Sequence, residues 1–274
     1  MNVQSETSGY LQTGAVSLYV TVHRPAEGGP AGHPLLLLGP FGEEHKCAYR
    51  LLVQLARAEA SRGRLVVRFD YRGAGESAGR HSDATLESWL ADAGAVTAAF
   101  SDEAGPGGWI LLGARLGANL ALRLSGTVDA RRTLLLEPLL NGTDYLRDLQ
   151  RRKQIKEMMG GGEARTSEEQ MQERWDSGAA VDFDGFEVGP ALAEDLRGVD
   201  LREDLDAHGS GGVDLVRVTP ARQLSGAWKD LAETLRAGGN GTVRVVRERP
   251  FWGQIEYDEF QTLQDEVLQV LAQA

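Results

Sequence analysis

The sequence has a single cysteine, Cys47, so no internal disulfide can form, which suits a reducing compartment. Long apolar runs are missing. The longest, Leu35 to Leu38, falls far short of the roughly 20 residues a membrane-spanning helix needs, so a transmembrane chain is not expected. The first residues, MNVQSETSGYLQTG, lack a basic start followed by an apolar stretch, and no secretory leader is expected there. Positive charge is scarce: 29 Lys and Arg face 40 Asp and Glu, a formal net charge of -11. A surface of that sign argues against general nucleic-acid binding, which needs a positive field to meet phosphates, and the expected location is cytoplasmic. Cofactor signatures are missing too. No Gly-Lys-Ser/Thr follows GAGESAG, no Cys/His pairs have zinc spacing, and GARLGA lacks the first glycine pair of a dinucleotide fingerprint. Neither a cofactor nor a metal is expected.

What is present is enough for one large core or two modest ones: 274 residues, 42% hydrophobic, with 34 glycines. Residues 10–23 read as two short strands joined by a turn, and RPAEGGPAGHP (24–34) as a loop. PLLLLGP (34–40) is a short apolar run between breakers, the pattern of a buried strand. Leu51, Leu52, Leu55 and Ala56 share one face of a helix over 44–60, which Gly63 ends. Strands are then predicted at 64–70, 109–113 and 132–138, and helices at 85–100 and 118–125. Thr85 is the expected N-cap of the first of these helices, with Asp83 as its competitor. After residue 205 come strands at 213–220 and 242–248, a helix at GAWKDLAETLRAGG, and an amphipathic closing helix at 256–273. Phe260, Leu263, Val267 and Leu271 form the apolar stripe of that last helix. Strands alternating with helices imply βαβ units and a largely parallel sheet.

The alternation breaks at 141–205, where a basic helix, a Gly-rich break and VDFDGFEV intervene. The expected organisation is a core of residues 1–140 and 206–274, with 141–205 inserted as a cap whose Gly-rich end, beside Met158 and Met159, is mobile. In the core, WILLG-ARLG-ANLAL lays out strand, tight turn and helix, with Gly113 and Gly117 two positions either side of Arg115. This is the arrangement of a nucleophile elbow, where small flanking residues let the chain bend sharply. GPFG (39–42) ends a strand where an oxyanion loop belongs, and FDYRGAGES (69–77) follows the strand upstream of the elbow. Together they predict an α/β-hydrolase fold: a mostly parallel, doubly wound sheet with a helical cap insertion.

PFGEEHK (40–46), FDYRGAGESAG (69–79), LLGARLGANLA (111–121), EPLLNGTDYLRDL (137–149), VDFDGFEVGPALAEDL (181–196) and PFW (250–252) resemble the exosortase system-associated, hydrolase-like proteins of exopolysaccharide-producing bacteria. The resemblance runs from about residue 34 to 260. It implies an α/β hydrolase of the serine-aminopeptidase type. It also implies that arginine at the elbow is characteristic of one branch, so that Arg115 is a feature of a lineage.

A serine-hydrolase mechanism needs an activated hydroxyl, an imidazole and an orienting carboxylate. The elbow offers Arg115, whose guanidinium stays protonated and is no nucleophile. VRVTPARQLSG (216–226), after the strand that normally supplies the acid, has no Asp or Glu, and RERPFWGQ, where the histidine normally follows, has no His. Glu137 fits an alternative acid position. The favoured reading is therefore a non-hydrolytic or repurposed protein that binds a polar or anionic small molecule, or a protein partner or second copy. Its pocket would draw on Arg115, Glu43, Glu44, His45, Phe41, Leu116, Glu137 and Trp252. Arg115 is expected to pair with Glu43 or Glu44, because an unpaired buried charge is costly, with Trp252 stacked on it. The alternative is an active hydrolase or acyltransferase of esters, thioesters or amides whose relocated site uses His45 with Glu43, Glu44 or Glu137. The other histidines, His23, His33, His81 and His208, read as solvated. Cys47 reads as a small buried residue, Ser77 as a loop-closing hydroxyl, Asp70 with Arg72 as a loop pair, and Arg147, Arg151, Arg152, Lys153 and Lys156 as a solvated face. Trp175, Phe183 and Phe186 are expected to pack the cap.

Overall fold

The computed structural model describes residues 5–14, 16–26, 32–105, 107–159, 166–208, 211–239, 241–253 and 260–273. The Gly-rich break at 160–165, part of the 24–34 loop and the start of the expected closing helix lie outside them. The chain opens with an antiparallel hairpin, β1 (Ser5–Gln12) and β2 (Ser17–Arg24). It continues through β3 (Leu35–Leu38), α1 (Glu43–Ser61), β4 (Val66–Phe69), a 3-10 turn at His81–Asp83, α2 (Leu86–Ala99), α3 (Ser101–Ala104), β5 (Trp109–Ala114), α4 (Leu116–Ser125) and β6 (Ala130–Leu136). Next come α5 (Gly142–Met159), α6 (Glu168–Asp176), the small ribbon β7 (Val181–Phe183) and β8 (Phe186–Val188), α7 (Pro190–Arg197) and α8 (Leu201–Ala207). The chain closes with β9 (Gly212–Val218), α9 (Gly226–Gly238), β10 (Gly241–Val246) and α10 (Gln261–Leu271).

Among the described residues the main sheet has the order β1-β2-β4-β3-β5-β6-β9-β10, parallel from β4 onward. β3 is apolar throughout because both its faces are covered, as parallel strands require. Leu36 and Leu38 pack with Trp89, Ala93, Val96 and Leu120 of α2 and α4. Leu35 and Leu37 pack with Leu51 and Leu55 of α1 and with Leu263 and Val267 of α10. The period of two along the strand thus sorts side chains into two helical layers. Thr85 caps α2 in preference to Asp83: its Oγ1 accepts from Ser88 N at 3.0 Å, and its own N–H donates to Ser88 Oγ at 3.0 Å. Phe260, Leu263, Val267 and Leu271 are all buried, as their stripe predicts.

The stretch between β6 and β9 leaves and re-enters the core at one point. Gly142 N donates to Val199 O at 2.7 Å, Leu201 N to Leu140 O at 3.1 Å, and Asn141 bridges Asp200. Met171, Trp175, Phe183, Val188 and Leu192 join the same buried cluster as the α2/α4 face of the sheet. Phe186 is half-buried against it. α5 packs on α7 and β7 and brings Tyr145 and Arg152 to Glu44, and Tyr145 to Arg115 in the turn after β5. No helix among the described residues is long and apolar enough to cross a membrane.

The glycines around that turn are required by close approach. A Cβ on Gly117 would collide with the carbonyl oxygens of Leu38 and Gly39, and one on Gly113 with the carbonyl of Gly117. Backbone cannot yield as a side-chain tip can. Gly117→Ala is expected to cost about 2–3 kcal/mol, read as a lower urea midpoint with unchanged slope. A variant as stable as the parent would show that α4 can slide off β3.

Candidate functional site

Arg115 forms the turn itself, at φ 55 and ψ -124, a conformation that side chains rarely adopt. Such strain costs of order 1–3 kcal/mol and persists where surrounding bonds hold it. Here Arg115 N donates to Leu136 O and Ala118 N donates to Arg115 O, each at 2.9 Å. The side chain is only 16% exposed. Its Nε and Nη2 donate to one oxygen of Glu44 at 3.2 and 3.1 Å, and Nη1 donates to the Glu137 carbonyl at 3.2 Å. The guanidinium lies 5.5 Å from the Trp252 ring and 5.9 Å from the Tyr145 ring, between two π faces. Burial weakens its hold on the proton, but the Glu44 carboxylate outweighs that and the net shift is upward. The group is a permanent cation.

The two adjacent glutamates divide. Glu44, 1% exposed, takes Arg115, the Tyr145 hydroxyl at 3.2 Å and Arg152 at 3.5 Å. Burial, with Glu44 beside it, pushes the Tyr145 phenol well up. Glu43 instead accepts from Lys156 at 2.8 Å, and Lys156 also reaches Asp184 at 2.9 Å. The basic run on α5 is therefore not a wholly solvated face. Arg152 and Lys156 turn inward onto the glutamates, while Arg147 holds Asp144 and Lys153 holds Glu157. Glu137 has φ 49, and its carboxylate pairs with Arg217 and accepts from Trp252 Nε1 at 3.4 Å. Burial pushes its pKa up against the pull of Arg217 and Arg115.

A cleft of about 280 Å³ opens on this cluster, with Arg115 and Arg217 on its wall beside Tyr145 and Trp228. Phe41 and His45 line a separate cavity with Asp70, Tyr71, His81, Trp89 and Phe186. His45 donates to the Pro40 carbonyl and feels Asp70 and Arg68, and burial lowers its pKa. Among the described residues none of Glu43, Glu44 or Glu137 hydrogen-bonds to it. The carboxylate beside His45 is Asp70.

Other expectations are corrected. Leu116 packs in the core at 1% exposure, and of the expected pocket residues Arg115 alone lines the cleft, with Glu44, Glu137 and Trp252 against Arg115 and Glu43 held by Lys156. Arg72 pairs with Asp92 at 2.6 Å, not with Asp70, whose carboxylate accepts from Glu76 N at 3.0 Å. His23 is fully buried rather than solvated, His81 lines the aromatic cavity with Nδ1 2.6 Å from Glu187 O, and His208 sits 2.9 Å from Ser125 Oγ. Two expectations hold: Cys47 is buried, and Ser77 closes its loop by donating to Asp70 O at 2.6 Å. Sequence reasoning passed over Arg217 and Tyr145, and it gave Asp70 and His81 only structural readings, as a loop pair and a solvated residue. Arg217 had a signal, a lone cation in the apolar strand VDLVRV.

No protein-family model and no curated protein matches the chain. Solved structures do. Est1E from Butyrivibrio proteoclasticus, solved with ferulic acid bound, is 13% identical, with TM-score 0.69 over 97% of this chain and 98% of that one. An esterase from Pyrococcus furiosus is 14% identical, with TM-score 0.64 over 98% and 91%. The esterase EaEST from Exiguobacterium antarcticum is 16% identical, with TM-score 0.62 over 97% and 100%. Identities this low speak for architecture alone. Sheet order, flanking helices and these neighbours agree that the chain has the α/β-hydrolase fold.

Proposed function

We propose that this chain is a small-molecule-binding protein built on the hydrolase fold, that it does not run serine-triad hydrolysis, and that it takes a polar ligand at the Arg115 cleft. One observation carries the reading. The strand-turn-helix position that holds the nucleophile in hydrolases of this fold carries Arg115, whose charge is locked onto Glu44. The loop after β9 has no acid, and no histidine follows His208 in the sequence. Arg115, Glu44, Glu137 and Trp252 are then binding or supporting residues. On this proposal residues 141–205 act as a cap over the cleft. The segments that resemble exosortase-associated proteins support a cytoplasmic role beside an exopolysaccharide or exosortase system.

The test is hydrolysis of p-nitrophenyl esters and acyl-CoA thioesters by the parent and by Arg115→Ser. Both are expected to stay at the uncatalysed rate, because no histidine follows His208 to supply the imidazole. Turnover by the parent would overturn the proposal. It would favour the second reading, a relocated hydrolase or acyltransferase, for which the specific observation is His45 facing Asp70 across an aromatic cavity. His45→Ala should then abolish that turnover.

A further inference from the structure

We propose that the ligand of the Arg115 cleft is a zwitterion with an apolar body, its carboxylate on Arg115 and Arg217 and its ammonium on Asp148, with Asp144 beside it. The inference rests on the binding reading above. A guanidinium has five N–H donors. Arg115 commits three, two to Glu44 and one to the Glu137 carbonyl. Among the described residues the other two, one on each terminal nitrogen, have no protein acceptor. Arg217 gives Nη1 to Glu137, stacks 4.9 Å over the Trp228 ring and is 29% exposed. Two planar forks on one cleft wall suit a carboxylate, which each can take through paired N–H bonds.

The same cleft also carries the opposite sign at its rim. Asp144 and Asp148 stand one turn apart on the cleft face of α5. Asp144 is bonded to Arg147 at 2.8 Å. Asp148 has no cation partner among the described residues, although basic residues crowd its helix. Arg152 is turned to Glu44, Lys153 to Glu157, and Lys156 to Glu43 and Asp184. The Tyr145 and Trp228 rings, both buried, line the same cleft. A plain anion meets repulsion at the rim, and a plain cation meets it at the wall. A molecule with one charge at each end of a flat apolar body satisfies both.

Isothermal titration calorimetry of the full chain with 4-(aminomethyl)benzoate tests this against two truncated probes, 4-methylbenzoate and benzylamine. The two-charged probe is expected to bind roughly tenfold or more tightly than either, since each truncation removes a charge-assisted contact. Asp148→Asn, at an exposed position, should keep the parent melting temperature. It should weaken the two-charged probe roughly tenfold and leave 4-methylbenzoate binding no weaker than to the parent. No binding of the two-charged probe at millimolar concentration overturns the proposal. So does equal affinity for 4-methylbenzoate, or an Asp148→Asn variant with parental affinity. None of those results touches the non-hydrolytic reading, which the ester panel decides separately.

Discussion

Arg115→Leu is expected to lower the free energy of unfolding by about 3 kcal/mol. Removing one partner of a buried ion pair generally costs roughly 3–5 kcal/mol, because the survivor keeps its desolvation penalty without its counter-charge. Glu44, at 1% exposure, would be that survivor. The lower end applies because the Tyr145 hydroxyl and Arg152 remain on it. Leucine tolerates the turn no worse than arginine, since neither is β-branched, so the change reports on charge and packing, not on backbone strain. Adding Glu44→Leu should restore much of the loss, with a coupling energy of about 2 kcal/mol in the double-mutant cycle. Guanidinium-chloride unfolding of the four proteins measures it. Additive single effects would show that Glu44 is held by Arg152 and Tyr145 alone. The Arg115 charge would then be free for ligand without a structural duty.

Stability is expected to fall as pH drops from about 6.5 toward 4, and His23 is the source. Its ring is fully buried. Arg68 Nε donates to its Nε2 at 3.1 Å, so the proton sits on Nδ1, 3.6 Å from Glu6. Burial, reinforced by the Arg68 charge and against the pull of Glu6, lowers its pKa to about 4. In the unfolded chain the imidazole titrates near 6.5, so between these values the unfolded state holds more protons. The contribution is therefore complete above pH 6.5 and lost as pH falls through the folded value. It is worth about 3 kcal/mol across the window. His23→Gln keeps an acceptor for Arg68 and removes the titration. Its unfolding free energy between pH 7 and 5 should be flatter than the parent's. Parallel curves would assign the acid sensitivity to other groups.

The elbow was legible in the chain because its requirements are local. A buried strand, a turn that must bend sharply and a helix start packed on a neighbouring backbone each leave a mark, in WILLG, Gly113 and Gly117. That a glutamate would meet Arg115 was legible too, from the cost of an unpaired buried charge. Which glutamate was not. Glu43 and Glu44 are about 100° apart around α1. Only the packing of that helix on β3 turns Glu44 inward and leaves Glu43 for Lys156.

The burial of His23 could not be read from its own neighbours in sequence. It arises because β2 is flanked by β1 and β4, which bring Glu6 and Arg68 to it from 17 residues upstream and 45 downstream. The division of the expected pocket has the same origin. Phe41 and His45 lie close in sequence to Glu43 and Glu44. Yet β4 draws Asp70 to His45 on one side of α1's first turn, while α5 draws Tyr145 and Arg152 to Glu44 on the other. The sequence by itself determined the layered architecture, the sharp turn and the arginine at its centre, because periodicity, steric demand and residue identity are properties of short segments. The tertiary structure alone decided which charges meet and where the cleft opens. Coulomb attraction and desolvation depend on distances that only the folded chain sets.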